Sequence, residues 1–453
     1  MNSKPPPLAR QAAKLERTTF CTSRRAEFCS QKELTNQTGH SPDEWPLVIL
    51  KELADNALDA CEEAPTAPEI HVAVGAEGIV VADNGPGIPA ATVQKITDFA
   101  VRVSSREAYV SPTRGAQGNA LQTILAMPSV LDGERGRVEI AARGQRHEIT
   151  FRVDPIRQEP TIGHAAHADR LVRNGTRVKV RWRDSACPIL TDSKARFLQL
   201  ANDYTWVNPH LTLNVDWFGD CTTVNATATD WAKWLPSEAT SPHWYGVQEF
   251  ARLVSAYIAI DRDHGADRSV RELVKEFRGL TGTAKQKAVL EETGLSRTNL
   301  SALANGDGLD LKTLAKLLTA IQKHSRPVKP AALGIIGEAH IRRRMEEVGC
   351  RMRSFQYKKV SQVDSDALPM VIETAFGWRG DDCEDGRRII IGVNWSPAIG
   401  DPFRTLGNEY GDGLSALLEK QRAGAYEPII FVLHVAHPRV RYTDRGKSAV
   451  VMK

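Results

Sequence analysis

Hydrophobic residues recur with helical spacing between residues 45 and 63. They fall at intervals of three or four, which predicts a buried amphipathic helix, at Leu47, Leu50, Ala54, Leu58 and Cys61. Glu52, Asn56 and Asp59 also lie three or four residues apart, so they share one face of that helix. Carboxylate and amide groups are costly to bury without partners. We therefore expect this face to contact a ligand.

Residues 45–235 are predicted to form one α/β sandwich. Further helices are predicted at 91–103 and 118–127. Short runs rich in β-branched residues predict strands at 69–75, 79–83, 137–143, 148–153 and 176–182. Their composition and short turns favour a mostly antiparallel sheet covered by helices on one face.

The pattern becomes helical over residues 236–338 and returns to α/β over residues 339–453. The helical part contains long amphipathic stretches. In the last part, strands are predicted at 369–376, 388–394 and 428–436. The overall prediction is an α+β chain with a helical region between two α/β domains.

Residues 287–308 have the pattern of a helix-turn-helix. Gly294 is predicted at the turn and Ser296 as the cap of the second helix. Taken alone, the pattern would suggest a DNA reader with Arg297 and Asn299 facing the groove.

Two segments precede the first core helix. Residues 1–17 are predicted to be disordered, because three consecutive prolines lie among polar residues. Residues 18–44 are predicted to form an arm. Either this arm packs on the surface of its own chain or it helps to join two subunits.

The composition of the 453 residues is that of a globular protein, with 42% hydrophobic and 25% charged residues. The net charge of +4 does not by itself predict nucleic-acid binding. The 7 cysteines are scattered and form no C-x-x-C pair, so we expect reduced thiols and no zinc site. No apolar run is long enough to cross a bilayer, and we expect no membrane association and a cytoplasmic location.

Two glycine-rich loops follow the first helix. The run from Val80 to Pro89 reads as a strand that ends in a Gly-Pro-Gly turn. The run from Arg114 to Leu121 leads into an apolar helix. Glycine-rich loops before helix N-termini suit phosphate binding, because free backbone N–H groups and the helix dipole favour anions.

Together, the helix and the two loops resemble the GHKL ATPase superfamily, and most closely the B subunits of type IIB topoisomerases such as topoisomerase VI. The resemblance implies a GHKL (Bergerat) sandwich, a helix-two-turn-helix-like insert and a transducer-like domain. In this family the insert occupies the position of the helix-turn-helix pattern, which argues against sequence-specific DNA reading. The chain is expected to lack the stalk helix that follows the transducer in topoisomerase VI.

The resemblance also implies ATP and Mg²⁺ as cofactors. Glu52 is expected to be the general base for hydrolysis. Asn56 is expected to bind Mg²⁺ through its amide oxygen, and Asp83 to accept a hydrogen bond from the adenine amine. Gly85 and Gly87 would allow close backbone approach beside the base. Asp59 is expected to make a structural hydrogen bond.

Other nucleotide contacts are implied further along the chain. A lid around the phosphates is expected from residues of the second loop and the start of its helix: Gly115, Ala116, Gln117, Gly118, Asn119, Ala120, Leu121 and Gln122. Asn119 and Ala120 stand where the family has an apolar residue and a glycine. Ser105 and Arg106 match a Ser-Lys pair near the nucleotide. Thr176 follows Gly175 near the adenine, although Asn-Gly-Thr is also an ordinary turn. Lys447 is expected to touch the γ-phosphate from the transducer.

Two functions fit these expectations. In the first, the chain is the ATP-hydrolysing B-type component of a topoisomerase VI-like enzyme that dimerises on ATP and passes duplex DNA. It would pair with an A-type subunit carrying Toprim and winged-helix domains, in a heterotetramer, since no strand-cleaving residues are recognisable here. In the second, it is a stand-alone GHKL clamp or switch in DNA repair, plasmid maintenance or phage defence, as the missing stalk helix would suggest.

Overall fold

The computed structural model describes most of the chain between residues 27 and 450. The described ranges are 27–99, 108–114, 120–132, 135–154, 156, 159–169, 172–182, 186–305, 308–380, 386–404, 406, 413–442 and 449–450. The predicted disordered segment and the first part of the predicted arm lie outside these ranges. The domain boundaries given above remain predictions.

The described residues contain twelve α-helices. In chain order, α1 to α12 are Gln31–Thr38, Trp45–Glu63, Ala90–Ile96, Ala120–Asp132, Cys187–Asp192, Lys194–Val207, Val247–Asp263, Val270–Lys275, Thr283–Thr293, Leu311–Lys323, Glu338–Glu347 and Gly413–Lys420.

Fifteen strands are found in the same ranges. In chain order, β1 to β15 are Glu69–Gly75, Gly78–Asp83, Gly136–Ala142, Gln145–Asp154, Glu159–Ala168, Thr176–Arg181, Thr212–Trp217, Asp220–Val224, Ala304–Asn305, Gly308–Leu309, Gln356–Val363, Pro369–Trp378, Arg388–Val393, Ser396–Pro397 and Ile429–Ala436.

The N-terminal sheet has eight strands in the order β5-β4-β3-β6-β2-β1-β7-β8. Neighbouring strands are antiparallel except β1 and β7, where Val72 pairs with Val215 in a parallel register. The C-terminal sheet has the order β11-β12-β15-β13-β14, and β9 and β10 form a separate pair. The predicted α+β fold class and mostly antiparallel sheet are confirmed.

Helix α2 lies at the centre of the N-terminal core. Its bounds are those predicted, and Pro46 in its first turn suits a helix start because the N–H that proline lacks would have no helical partner. Trp45, Ile49 and Leu58 are fully buried. The helix packs against β2, α4 and α6. Because the core is close-packed, a displacement of α2 would displace these neighbours as well.

Seven of the fifteen strands were not predicted, namely β5, β7, β8, β9, β10, β11 and β14, and one predicted cap is wrong. The missed strands β5, β8 and β11 are mostly exposed and lack an alternating apolar pattern. After Gly294 ends α9, no helix starts at Ser296. The segment instead pairs with residues 268–270, where Leu300 N–H donates to the Arg268 carbonyl. Asn299 Nδ2 donates to Asp267 Oδ2 at 3.2 Å, so its amide already has a partner within the chain.

The C-terminal sheet packs closely on the N-terminal region. One hydrophobic core is shared by the helical region, the end of α6 and one face of this sheet. At Gly392, an added Cβ would lie 2.7 Å from Val207 Cγ1, so β13 and α6 are in close contact. Arg388 and Asp203 form an ion pair of 2.6 Å across the same boundary.

A buried carboxylate joins the helical region to the C-terminal sheet. Glu373 accepts hydrogen bonds from the backbone N–H groups of Ile336 (2.7 Å) and Gly337 (2.8 Å) and from the Tyr357 hydroxyl (2.7 Å). Burial raises its pKa, but His434 at 3.2 Å and these donors more than offset that effect and lower the pKa to about 2. The carboxylate is therefore ionised at neutral pH.

We predict that Glu373→Gln destabilises the protein in a pH-dependent way. Because the pKa falls from 4.5 to about 2 on folding, the carboxylate contributes stability above pH 4.5, roughly 3 kcal/mol. That contribution is lost by about 1.4 kcal/mol per pH unit as the pH falls below 4.5. In urea unfolding at several pH values, the difference in free energy of unfolding between wild type and variant should decrease as the pH falls. The exposed variant Glu291→Gln should match the wild type, and a deficit independent of pH would contradict the assignment.

Candidate nucleotide site

A cavity of about 620 Å³ opens between α2, the loop after β2 and the edges of β3 and β6. Its walls include apolar side chains such as Leu53, Ile88 and Val178. Five of the predicted ATP-site residues line it: Asn56, Asp83, Gly87, Leu121 and Thr176. Residues distant in sequence thus converge on a single concave site.

Asp83 lies at the end of β2, where the strand passes into the loop. Its Oδ1 accepts hydrogen bonds from the backbone N–H groups of Gly85 (2.8 Å) and Thr176 (3.2 Å). Burial raises the pKa of Asp83, and these hydrogen bonds only partly offset the effect. A half-buried carboxylate held in this way has a fixed direction and can serve as a specific hydrogen-bond acceptor.

Glycines are required where the loop after β2 meets the strand β6. Gly175 has φ +78°, and an added Cβ would lie 1.7 Å from the Asp83 carbonyl oxygen. Its N–H donates to the Gly85 carbonyl at 2.7 Å. Gly87 has φ +76°, and its Cβ would lie 2.8 Å from the Gly175 carbonyl oxygen. The two loops can approach each other only without side chains at these positions.

The three polar residues predicted to share one face of α2 have different surroundings. Asn56 is exposed to the cavity and has no hydrogen-bond partner among the described residues. Glu52, one turn earlier, is half-buried, does not line the cavity and has no hydrogen-bond or ion-pair partner among the described residues. Asp59 lines the cavity and also accepts a hydrogen bond from Arg114 at 2.7 Å.

Several predicted site residues are not brought to the cavity or cannot be placed. Gly85 is buried under Asp83 and does not line the cavity. Ala120 begins α4, and Gln122 is buried and donates to the Asp98 carbonyl at 2.9 Å. The remainder lie outside the described residues: Ser105, Arg106, Gly115, Ala116, Gln117, Gly118, Asn119 and Lys447.

Sequence reasoning missed Arg143 as a site residue. It lines the cavity, and its Nε–H donates to the carbonyls of Pro86 (3.1 Å) and Gly87 (2.9 Å). Arg143 and Gly144 form the two-residue turn between β3 and β4, both with positive φ. The Arg-Gly pair between two predicted strands was the available signal.

A cluster of buried charges lies directly behind the cavity. Arg114 is 3% exposed and donates two hydrogen bonds to Glu62, at 2.6 and 2.7 Å. Lys233 forms an ion pair with the same carboxylate at 2.8 Å, and His210 lies 2.9 Å from it. Burial raises the pKa of Glu62, but Arg114 and Lys233 reverse this and hold it well below its usual value. Glu62 is therefore ionised.

The described residues contain neither a candidate membrane-spanning helix nor a candidate metal cluster. No described helix is long and apolar enough to cross a membrane. In the same part of the chain, no three His, Cys, Asp or Glu side chains are grouped so as to hold a metal ion.

Comparison with known proteins shows that this chain is similar in sequence to B subunits of topoisomerase VI. The B subunit of type 2 DNA topoisomerase 6 from Archaeoglobus fulgidus is 23% identical over 434 residues, covering 90% of this chain and 67% of that protein. The chain is similar to topoisomerase VI B subunits along most of its length. This confirms the predicted resemblance. No family model matches the chain.

Other topoisomerase VI B subunits align similarly. That of Methanococcoides burtonii is 24% identical over 429 residues, covering 89% of this chain and 64% of that protein. The chain thus spans about two thirds of the length of these two relatives.

Among solved structures, the DNA gyrase B subunit of Myxococcus xanthus aligns with a TM-score of 0.37 and 12% identity, covering 89% of this chain and 84% of that chain. The ATPase region of Saccharomyces cerevisiae topoisomerase II aligns with a TM-score of 0.39 and 12% identity, covering 90% and 77%.

We predict that Gly175→Ala disrupts this cavity and destabilises the protein. Left-handed strain and overlap with the Asp83 carbonyl together should lower the free energy of unfolding by more than about 3 kcal/mol. Gly219→Ala is a matched control, because Gly219 has φ +92° but open space around its Cβ. The free energy of unfolding of this control should fall by only about 1–2 kcal/mol. Equal losses in denaturant titrations would show that the close approach to Asp83 is unimportant.

Proposed function

We propose that this chain binds and hydrolyses ATP as the B-type component of a topoisomerase VI-like enzyme. The observation that carries the proposal is the cavity in which Asn56, Asp83, Gly87 and Thr176 meet. The similarity to topoisomerase VI B subunits over 90% of the chain supports it. Since the chain spans about two thirds of that relative, the activity of the whole enzyme is part of the proposal.

The cavity suits adenine. Apolar side chains of Val81, Ile88 and Val178 would contact the faces of the base, and the fixed Asp83 carboxylate would accept from its exocyclic amine. Guanine carries a carbonyl oxygen at the equivalent position, which a carboxylate would repel. Asp83 would therefore select ATP over GTP.

The residues at the open end of the cavity fit a magnesium-bound triphosphate. Mg²⁺ favours oxygen ligands and keeps several waters, so a single protein ligand beside the phosphates is sufficient. The Asn56 amide faces the cavity and has no hydrogen-bond partner within the described residues, so its oxygen is available. When bound, the ion would neutralise charge on the phosphates.

Hydrolysis requires a base that orients water. Glu52 lies one helical turn from Asn56, and within the described part of the chain no hydrogen bond or ion pair occupies its carboxylate. It does not line the cavity itself, and we propose that it accepts a proton from a water molecule beside the γ-phosphate. Lys447, Ser105, Arg106 and the loop residues 115–119 are proposed to complete the phosphate site, as the resemblance implies.

Partners follow from the same proposal. Two chains would dimerise on binding ATP, and an A-type subunit would supply DNA cleavage in a heterotetramer. The role of ATP would then be to gate the passage of duplex DNA.

We predict that Glu52→Ala retains ATP binding but loses turnover. Removing a positioned base typically slows hydrolysis by about 10²–10⁴-fold, whereas the adenine and phosphate contacts remain. Steady-state phosphate release and equilibrium binding of a fluorescent ATP analogue measure the two effects. Glu291→Ala, an exposed change on α9, should behave as the wild type. Unchanged hydrolysis in Glu52→Ala would remove Glu52 from the mechanism.

We predict that Asp83→Asn weakens ATP binding by roughly 10–100-fold, because a hydrogen bond to a charged group contributes about 1.5–3 kcal/mol. The new amide would accept from Gly85 but oppose the adenine amine, so the preference for ATP over GTP should narrow. Because the pKa of Asp83 is raised, wild-type affinity should decline in acid at a higher pH than an ordinary aspartate would cause. That decline should be absent in the variant.

The matched control is Asp216→Asn, since Asp216 accepts from the Gly219 N–H at 2.7 Å in a turn remote from the cavity. Competition binding with ATP and GTP at several pH values measures the wild type and both variants. If Asp83→Asn binds ATP and GTP with the affinities of the wild type, the adenine assignment is contradicted.

A further inference from the structure

A two-residue turn in the C-terminal sheet has an unusual backbone. Asn394 and Trp395 connect β13 to β14, with Val393 paired to Ser396, and have φ +50° and +62°. Glycine and asparagine suit such a turn, but tryptophan in the left-handed region costs about 1–2 kcal/mol. Conformations of this kind persist only where surrounding contacts enforce them, and they cluster at functional sites.

The backbone of Trp395 is held on both sides. Its N–H donates to His434 Nε2 at 3.2 Å within the C-terminal sheet. Its carbonyl accepts from Arg114 Nε at 3.3 Å and from Asn208 Nδ2 at 3.0 Å, both from the N-terminal region. The indole is fully buried, with Lys233 Nζ 5.1 Å from its ring centre. The residue therefore joins the two regions through its main chain.

Asn394 fixes the other half of the turn. Its Nδ2 donates to the His437 carbonyl at 3.0 Å, and its Oδ1 accepts from the His437 N–H at 2.8 Å. Its Nδ2 also lies 3.4 Å from the carbonyl of Thr113, the neighbour of Arg114. The turn is thus attached to the end of β15 as well as to the segment before the predicted lid.

Helix α2 contacts this hairpin at two levels. Asp55 Oδ2 accepts from the Ser396 hydroxyl at 2.7 Å, and Lys51 donates to the Pro397 carbonyl at 3.0 Å. Two turns later, Glu62 binds Arg114, which donates to Trp395. The neighbouring face of the same helix carries Asn56, Asp59, Ala60 and Glu63 into the cavity. One rigid helix therefore contacts the candidate nucleotide site on one side and the hairpin on the other.

We propose that the Val393–Ser396 hairpin couples the nucleotide cavity to the C-terminal sheet, with Arg114 as the positioning residue that connects Glu62 and Asp59 to Trp395. This inference rests on the proposed ATPase function and adds a connection that does not involve Lys447. Arg114 is buried and does not line the cavity. It sets the position of α2, and through α2 the positions of Asn56 and Glu52, relative to the sheet.

Arg114→Lys tests the connection most directly. Lysine keeps the positive charge beside Glu62 but lacks the planar set of donors that reaches Glu62, Asn208 and Trp395 together. The control is Arg344→Lys. Arg344 is equally buried at 3% exposure and also joins the C-terminal region to α6, donating to the Thr205 carbonyl, but it is not in contact with Glu62 or Trp395.

Four quantities are to be measured for the wild type and both variants. They are the affinity for a non-hydrolysable ATP analogue, kcat and KM for ATP, and the change in amide hydrogen exchange of β13 and β15 when the analogue binds. In Arg114→Lys we expect affinity and KM to change by less than about threefold, kcat to fall about tenfold, and the exchange response to disappear. Arg344→Lys should retain both kcat and the response.

A second variant keeps the test decisive if Arg114→Lys does not fold. Asn208→Asp preserves an oxygen that accepts from Arg114 but removes the donor to the Trp395 carbonyl. It should also lose the exchange response while binding the analogue.

A failure of the proposed function and a failure of this inference would give different results. If the wild type does not bind the analogue, the proposed function is wrong and the inference falls with it. If the wild type binds and hydrolyses ATP, but Arg114→Lys or Asn208→Asp retains the full exchange response, only the inference is wrong. It is equally wrong if Arg344→Lys loses the response as completely as Arg114→Lys.

Discussion

The buried ion pair between Glu62 and Arg114 is the interaction on which the arrangement of the site depends. Two charges removed from water are tolerated only when every donor and acceptor is satisfied. Here Arg114 donates to Glu62, Asp59, Asn208 and Trp395. Lys233 and His210 complete the surroundings of Glu62. Because the geometry of one guanidinium fixes four neighbours, helix α2, the end of α6 and the C-terminal hairpin cannot shift independently.

The candidate nucleotide cavity is shaped by close contacts between backbone segments rather than by buried charges. Gly175 and Gly87 permit the loop after β2 to lie against the start of β6, and this contact fixes the direction of the Asp83 carboxylate. The end of the cavity proposed to hold adenine is therefore built from strands and loops of the sheet. The end proposed to hold the phosphates is built from α2, which is attached to the buried charges behind it. With these two supports, the site would recognise a base rigidly, and its proposed phosphate end would respond to the C-terminal sheet.

Many of the helices and strands around the site could be predicted from the sequence, because each is indicated by a pattern of neighbouring residues. The bounds of α2 follow from hydrophobic periodicity and those of β1 from its β-branched residues, whereas the roles expected of Asn56 and Asp83 came from the family resemblance. Strands β5 and β11 were missed because edge strands with exposed, polar residues have no apolar alternation to detect. Ser296 suits a helix cap locally, but pairing of its segment with residues 268–270 overrides that preference. The roles of Arg114 and Trp395 depend on contacts between residues about 280 positions apart, which no local pattern reveals.

The most direct test of the central claim is the crystal structure of the protein with Mg²⁺ and a non-hydrolysable ATP analogue. We predict that the adenine amine lies within about 3 Å of the Asp83 carboxylate, the ion beside the Asn56 amide, and the γ-phosphate next to Glu52. A nucleotide bound elsewhere, or a base that does not contact Asp83, would contradict it.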